Sequence, residues 1–215
     1  MDAAVTDVGL AAPAPFGGLR RAYYGAIVVD PASKFQSYTA IRSRNPGSVR
    51  SNERHYRVMS YGELAALPIR ELAAPSGCHL FLWTASAHLE QAIGLVRTWN
   101  FKYSAVAFVW LKTRRNWDGK APLRETDFPI SLGLTTRHQC ELVLLARRGN
   151  CRRLRKDVRE LILAPRREHS RKPDEFYRRV EAYCEGPFVD LFAREHRPGW
   201  SCWGDEANKF GGAHA

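Results

Sequence analysis

The sequence predicts an α/β fold: one sheet of short buried strands with helices on both faces. Three observations carry this. Apolar, β-branched runs of strand length recur between segments of helical spacing, the alternation that builds a layered α/β sheet. Tyr24-Gly25-Ala26-Ile27-Val28-Val29 is apolar almost throughout, as expected of a parallel strand buried on both faces. The 215 residues show no internal repeat and no linker, and they suffice for one domain with a real core.

Residues 1–19 read as a flexible lead-in, because Ala11 to Gly18 is rich in Ala, Pro and Gly. A single domain is expected over 20–206, and 207–215 as a flexible tail of small residues. The first strand ends at Asp30-Pro31, where an acid followed by proline takes the chain abruptly out of the sheet. Ligands of open α/β sheets bind beyond the carboxyl ends of strands, so Asp30 is placed to meet one; an Asp that merely starts a turn is the alternative. Lys34 to Arg57 lacks periodicity and carries Arg42, Arg44, Arg50, Arg54 and Arg57 among Ser, Asn, Gly and Pro. It reads as a long exposed loop that contacts substrate.

Ser60-Tyr61-Gly62-Glu63 is a capping box, and Pro68 ends its helix near Leu67. Cys78 to Trp83 is a second strand. Ala85 to Trp99 has helical spacing, with Leu89, Ala92, Ile93 and Val96 on one face. Tyr103 to Leu111 is a third strand. The polar stretch from Lys112 to Phe128 carries Arg114, Arg115 and Trp117, which either grip a nucleic-acid backbone and stack on a base or form a plain surface loop. Glu141 to Arg147 and Val158 to Leu163 are further strands. Pro173 opens a helix to about Cys184, with Asp174 and Glu175 favouring its N-terminus. Pro187 to Ala193 is the last strand expected.

The net charge is +11, and Arg147 to Lys172 alone contributes eleven Lys/Arg against three Asp/Glu. Such a patch attracts phosphate backbones without reading sequence; a merely soluble arginine-rich surface is the alternative. No run approaches the roughly 20 apolar residues of a membrane span, and the N-terminus lacks a secretory layout, so no membrane partner is expected. Cys78, Cys140, Cys151, Cys184 and Cys202 are odd in number and show no CxxC spacing. That argues against a disulfide framework or a metal site, and for reduced thiols in a cytoplasm. No Gly-rich loop follows the first strand, which argues against NAD or FAD.

Several stretches in order carry a family likeness. They are Asp30-Pro31-Ala32-Ser33; Arg167-Glu168-His169-Ser170-Arg171-Lys172-Pro173-Asp174-Glu175 after Leu161-Ile162-Leu163-Ala164-Pro165; Asp190-Leu191-Phe192-Ala193-Arg194; Arg197-Pro198-Gly199-Trp200; and Trp203-Gly204-Asp205-Glu206. The set resembles the adenine methyltransferase family that includes the catalytic subunit of the eukaryotic mRNA adenosine methyltransferase and bacterial and phage relatives. The resemblance covers about Tyr23 to Glu206. It implies a single Rossmann-like methyltransferase domain in permuted order, with the catalytic strand first, and S-adenosylmethionine as cofactor.

The family's signature is Asp-Pro-Pro-Trp, and this chain has Ala32 and Ser33 in its third and fourth places. By resemblance, Asp30 and the Pro31 carbonyl accept from the two N–H bonds of an adenine amine, and Asp30 also favours the cationic cofactor. Lys172 points at the methionine carboxylate, assisted by Ser170 or His169. Phe192, Arg194 and His196 surround the ribose, and Asp205 and Glu206 lie near the adenosine. Ser33 stands where the family stacks an aromatic ring on the base, a contact worth about 1–3 kcal/mol. Phe35, Tyr38 or Trp117 are the candidate replacements, and Arg42, Arg44, Arg54, Arg114 and Arg115 the candidate backbone contacts.

Two main functions follow. One is S-adenosylmethionine-dependent methylation of the exocyclic amine of adenine in DNA or RNA. The other is a weakened pseudo-methyltransferase that binds nucleic acid or scaffolds a partner. A methyltransferase with an altered acceptor, admitted by Ser33, is a third. The implied partners are nucleic acid and a second subunit in a homo- or heterodimer.

Overall fold

The computed structural model describes residues 11–31, 59–130, 136–168 and 171–210. Seven strands form one sheet: β1 (Ala26–Val29), β2 (Gly77–Thr84), β3 (Lys102–Thr113), β4 (Cys140–Gly149), β5 (Leu161–Pro165), β6 (Phe188–Leu191) and β7 (Trp200–Trp203). Their spatial order is β5-β3-β4-β2-β1-β6-β7. β1 pairs in parallel with β2 and β6, as its apolar sequence predicts, and all four of its residues are buried. β4 runs antiparallel to both β2 and β3, which makes the sheet mixed.

Alternation across β1 divides the core. Ile27 and Val29 join one cluster with Leu64, Leu95 and Val96, from helices α1 (Tyr61–Ala65) and α2 (Leu89–Thr98). Ala26 and Val28 join the other with Phe176, Tyr177 and Val180 of α3 (Asp174–Tyr183). Helices therefore cover both faces. Ser60 and Glu63 close the capping box that the sequence predicts. The Trp99 indole N–H donates to the Leu64 carbonyl at 3.0 Å and ties α1 to the end of α2.

Four expectations need correction. The stretch from Ala11 to Leu19 is packed rather than flexible: Phe16 is fully buried, its ring meets Trp203 edge-on at 4.9 Å, and the Ala12 N–H bonds the Leu19 carbonyl. The segment from Ala85 to Trp99 splits into a 3-10 turn, Ser86–His88, and α2, which starts at Leu89. The fifth strand starts at Leu161, where it first meets Val109, rather than at Val158. β7 is a strand that the sequence reading lacked, and after it Ala207 to Phe210 folds back, with the Phe210 N–H on the Arg194 carbonyl.

Candidate active site

In-register parallel pairing sets the site. Val29 lies beside Leu82 and Leu191, and Leu191 beside Trp203. The next residue along each strand therefore falls in one row at the carboxyl edge: Trp83, Asp30, Phe192 and Gly204. Phe192 adopts a positive φ of 65°, a strained conformation for a bulky residue. Gly204 (φ 155°) has no room for a Cβ, which would lie 2.9 Å from Phe192 Cα and the Ala193 nitrogen. The backbone crosses itself here at a closeness that only glycine permits.

Asp30 is held by a network drawn from four parts of the chain. Lys172 Nζ lies 3.0 Å from Asp30 Oδ1 and 2.9 Å from Glu141 Oε2. Lys112 pairs with the other oxygen of Glu141. Lys172 and Lys112 also sit over the rings of Trp83 and Trp110, at 4.7 and 5.0 Å. Lys172 leaves the β5–α3 connection and is buried to 8% exposure, while Asp30 follows β1, Glu141 is the second residue of β4 and Lys112 the last but one of β3. The network balances two cations against two carboxylates.

Burial is the largest influence on Asp30 and raises its pKa. Glu141 adds to that, while Lys172 and Arg194 oppose it. Burial also works against ionised Glu141, but Lys172 and Lys112 together outweigh it and hold the carboxyl at about 2. For Lys172, burial alone favours the neutral amine; the two carboxylates overcome it and raise its pKa. The cluster therefore keeps Glu141 and Lys172 charged. Asp30, by contrast, is pushed toward its neutral form.

Of the expected cofactor residues, Phe192, Arg194 and Glu206 gather beside Asp30. Arg194 pairs with Glu206, and Phe192 packs edge-on against Trp203 at 5.2 Å. Asp205 is exposed on the turn between them. His196 is not brought to Asp30: it is exposed, with Nδ1 3.1 Å from Cys202 Sγ. In the loop after β3, Arg114 pairs with Asp127, and Arg115 donates to the Arg167 carbonyl at 3.3 Å, so the loop borders the segment carrying Lys172. The half-buried Trp117 donates its indole N–H to the Ala121 carbonyl. Ala32, Ser33, Phe35, Tyr38, Arg42, Arg44, Arg54, His169 and Ser170 lie outside the described residues.

Sequence reasoning missed Glu141 and Trp83 as site residues and read Lys112 only as a loop charge. A usable signal exists. Glu141 is an acid opening an otherwise apolar run, Leu142 to Ala146, and Lys112 closes the apolar run before it. Charges at strand ends mark the ligand edge. Trp83 reads as core, yet its buried indole N–H has no acceptor among the described residues.

Several known methyltransferases are similar to this chain in sequence. A type II methyltransferase of Mycoplasma sp, M.MunI, is 31% identical over 207 residues, covering 89% of this chain and 81% of the relative. The human N(6)-adenine-specific methyltransferase METTL4 is 28% identical over 197 residues, 88% of this chain and 39% of its own length. The N6-methyladenosine RNA methyltransferase MTA1 of Cryphonectria parasitica is 31% identical over 180 residues, 76% of this chain and 48% of that protein. The family model MT-A70 matches residues 24–206, from two residues before β1 to the glutamate that pairs with Arg194. The chain belongs to the MT-A70 family.

Proposed function

We propose that this chain transfers a methyl group from S-adenosylmethionine to the exocyclic amine of an adenine in DNA or RNA. The observation that carries the proposal is Asp30. It stands at the carboxyl edge of β1, with one oxygen held 3.0 Å from the Nζ of a buried lysine. A carboxylate so fixed can accept from an amine N–H and hold the nitrogen in one orientation. The Pro31 carbonyl, next along the chain, is the second acceptor. Orientation of this kind lowers the barrier without a general base, because the lone pair must leave conjugation with the ring to react.

The residues present fit the cofactor. A carboxylate suits a cationic sulfonium, Glu206 offers oxygens to ribose hydroxyls, and the Trp83 N–H, without an acceptor among the described residues, is a further donor. Asp30, Phe192, Arg194 and Glu206 would hold it, with Ser170 and Asp205 as further contacts. When bound, S-adenosylmethionine supplies an electrophilic methyl. Lys172 has its Nζ on Asp30 and Glu141, so its first role in this reading is to set the Asp30 carboxylate, and contact with a methionine carboxylate is a second. The binding-only alternative is not favoured, because the MT-A70 match spans residues 24–206 and the relatives are named as methyltransferases.

The test is transfer of labelled methyl from S-adenosylmethionine to adenine-containing single- and double-stranded DNA and RNA. Wild type is expected to label at least one of them, and Asp30→Ala to abolish labelling while melting like wild type. Labelling that survives Asp30→Ala, or none on any nucleic acid, would remove the proposal.

A further inference from the structure

The end of the sheet opposite Asp30 carries a feature that methyl transfer does not use. Arg147, near the end of β4, lies directly across from His79 of β2 on one side and Lys102 of β3 on the other. Directly opposed residues share a face, so the three form a row on the α3 side, beyond the core residues Phe81 and Leu145. Like charges directly opposite in an antiparallel pair are destabilising. Here Lys102 faces Arg147, and no carboxylate among the described residues pairs with either.

The row floors a cleft of about 460 Å³. Arg153 and Tyr183 stand on its rim, and Arg147 and Arg153 both act electrostatically on the Tyr183 phenol, which places the two guanidinium groups close to it. A register shift between Tyr103 and Ala105 leaves Ser104 out of the ladder and in the cleft wall. His79 lies beneath, with its ring edge-on to Tyr183 at 5.3 Å. Burial, and then Arg147, hold its imidazole at about 4, so it enters as a neutral hydrogen-bonding group. The cleft thus has three cations, a hydroxyl, a phenol and a neutral imidazole, and no acid in its lining.

We infer that this cleft is a phosphate-binding exosite, for a phosphodiester of a nucleic-acid strand or the phosphate of a free nucleotide. Guanidinium forks match phosphate oxygens bidentately, and an anion between Lys102 and Arg147 turns their repulsion into two attractions. The Tyr183 ring gives a neighbouring base or sugar an apolar surface. The basic segment continues through Arg152, Arg155, Lys156 and Arg159, which extends the field along the chain.

The inference does not rest on methyl transfer, and its test avoids adenine. Anisotropy of labelled oligothymidylate over a range of salt compares wild type with Arg147→Gln/Arg153→Gln. Arg97→Gln, on the exposed side of α2, is the charge control. The double variant is expected to lose about ten-fold or more in affinity and about one from the salt slope per cation removed. Arg97→Gln should change affinity by no more than about two-fold. Without ligand, Arg147→Gln should melt no lower than wild type, since one repulsion is gone. A second arm measures the melting shift given by inorganic phosphate. A shift lost in the double variant, with oligothymidylate affinity unchanged, assigns the cleft to free phosphates. If neither oligothymidylate affinity nor the phosphate shift distinguishes the double variant from wild type, the exosite is overturned.

Discussion

An amine donor needs Asp30 ionised, and the surroundings of this carboxyl pull in opposite directions. Burial and Glu141 favour the protonated acid, while Lys172 and Arg194 favour the carboxylate. The outcome is a pKa above the ordinary carboxylate value, so methyl transfer should fall away on the acid side at a higher pH than an exposed aspartate would dictate. Lys172→Met removes the cation that most lowers this pKa. The acid limb of kcat/KM should then move to higher pH, and the plateau rate should fall by about ten-fold or more as the carboxylate loses its anchor. A lower plateau with an unmoved limb would mean that Lys172 acts on the cofactor and not on Asp30. Asp30 and Lys172 were legible because each sits in a recognisable run of neighbours. Glu141 was not: its role depends on a contact with Lys172, 31 positions along the chain, and that contact exists only once β4 is threaded antiparallel between β2 and β3.

At the scale of elements, strands with a clear apolar run were legible to within a few residues, and those made by packing were not. β7 has four residues, Trp200–Trp203, following a Pro-Gly turn, and its pattern is too short to stand out. It is a strand because β6 offers an edge and because Trp203 has something to pack on. That partner is the lead-in: Phe16 meets the Trp203 ring, and the Trp203 indole N–H donates to the Pro15 carbonyl at 3.0 Å. Composition marked Ala11 to Gly18 as loose, because a single buried aromatic outweighs its neighbours in packing and not in sequence statistics. Phe16→Ala should therefore cost about 3–5 kcal/mol in denaturant unfolding, as for other buried aromatics. It should also loosen the turn at Gly204 and lower affinity for S-adenosylmethionine. A loss under about 1 kcal/mol would show that the lead-in is not part of the folded unit.

For the molecule as a whole, the parallel strands direct two opposite ends. The carboxyl edge holds a charge-balanced network, and the other end holds an excess of cations. Between the network and α3 sits Asp190 of β6, buried, with its Oδ2 accepting from the Tyr177 hydroxyl at 2.8 Å. Burial, the largest influence, and the nearby Asp30 raise its pKa to about 7, against the opposing pull of Tyr177, Arg197 and Lys172. The sign of its effect on stability follows from linkage. The unfolded chain releases this proton near pH 4, whereas the folded protein keeps it to about 7. The neutral acid's advantage is therefore fully present below pH 4 and is lost as pH rises to about 7. Glu141 runs the other way: its carboxyl is held at about 2, so its contribution is present above the unfolded value and disappears as pH falls toward 2. His79 runs with Glu141: its imidazole is held at about 4, so its contribution is present above the unfolded value near 6.5 and is lost as pH falls toward 4, opposing Asp190 over the same range. Asp190→Asn keeps an acceptor for Tyr177 and removes the proton. Relative to wild type, its unfolding free energy should rise by a few kcal/mol as pH goes from about 4 to 8, whatever the shape of either curve. Denaturant titrations of both proteins at these pH values measure the difference. A difference between the two curves that does not change with pH would mean that Asp190 is ionised in the folded protein, with Arg197 and Lys172 prevailing over burial.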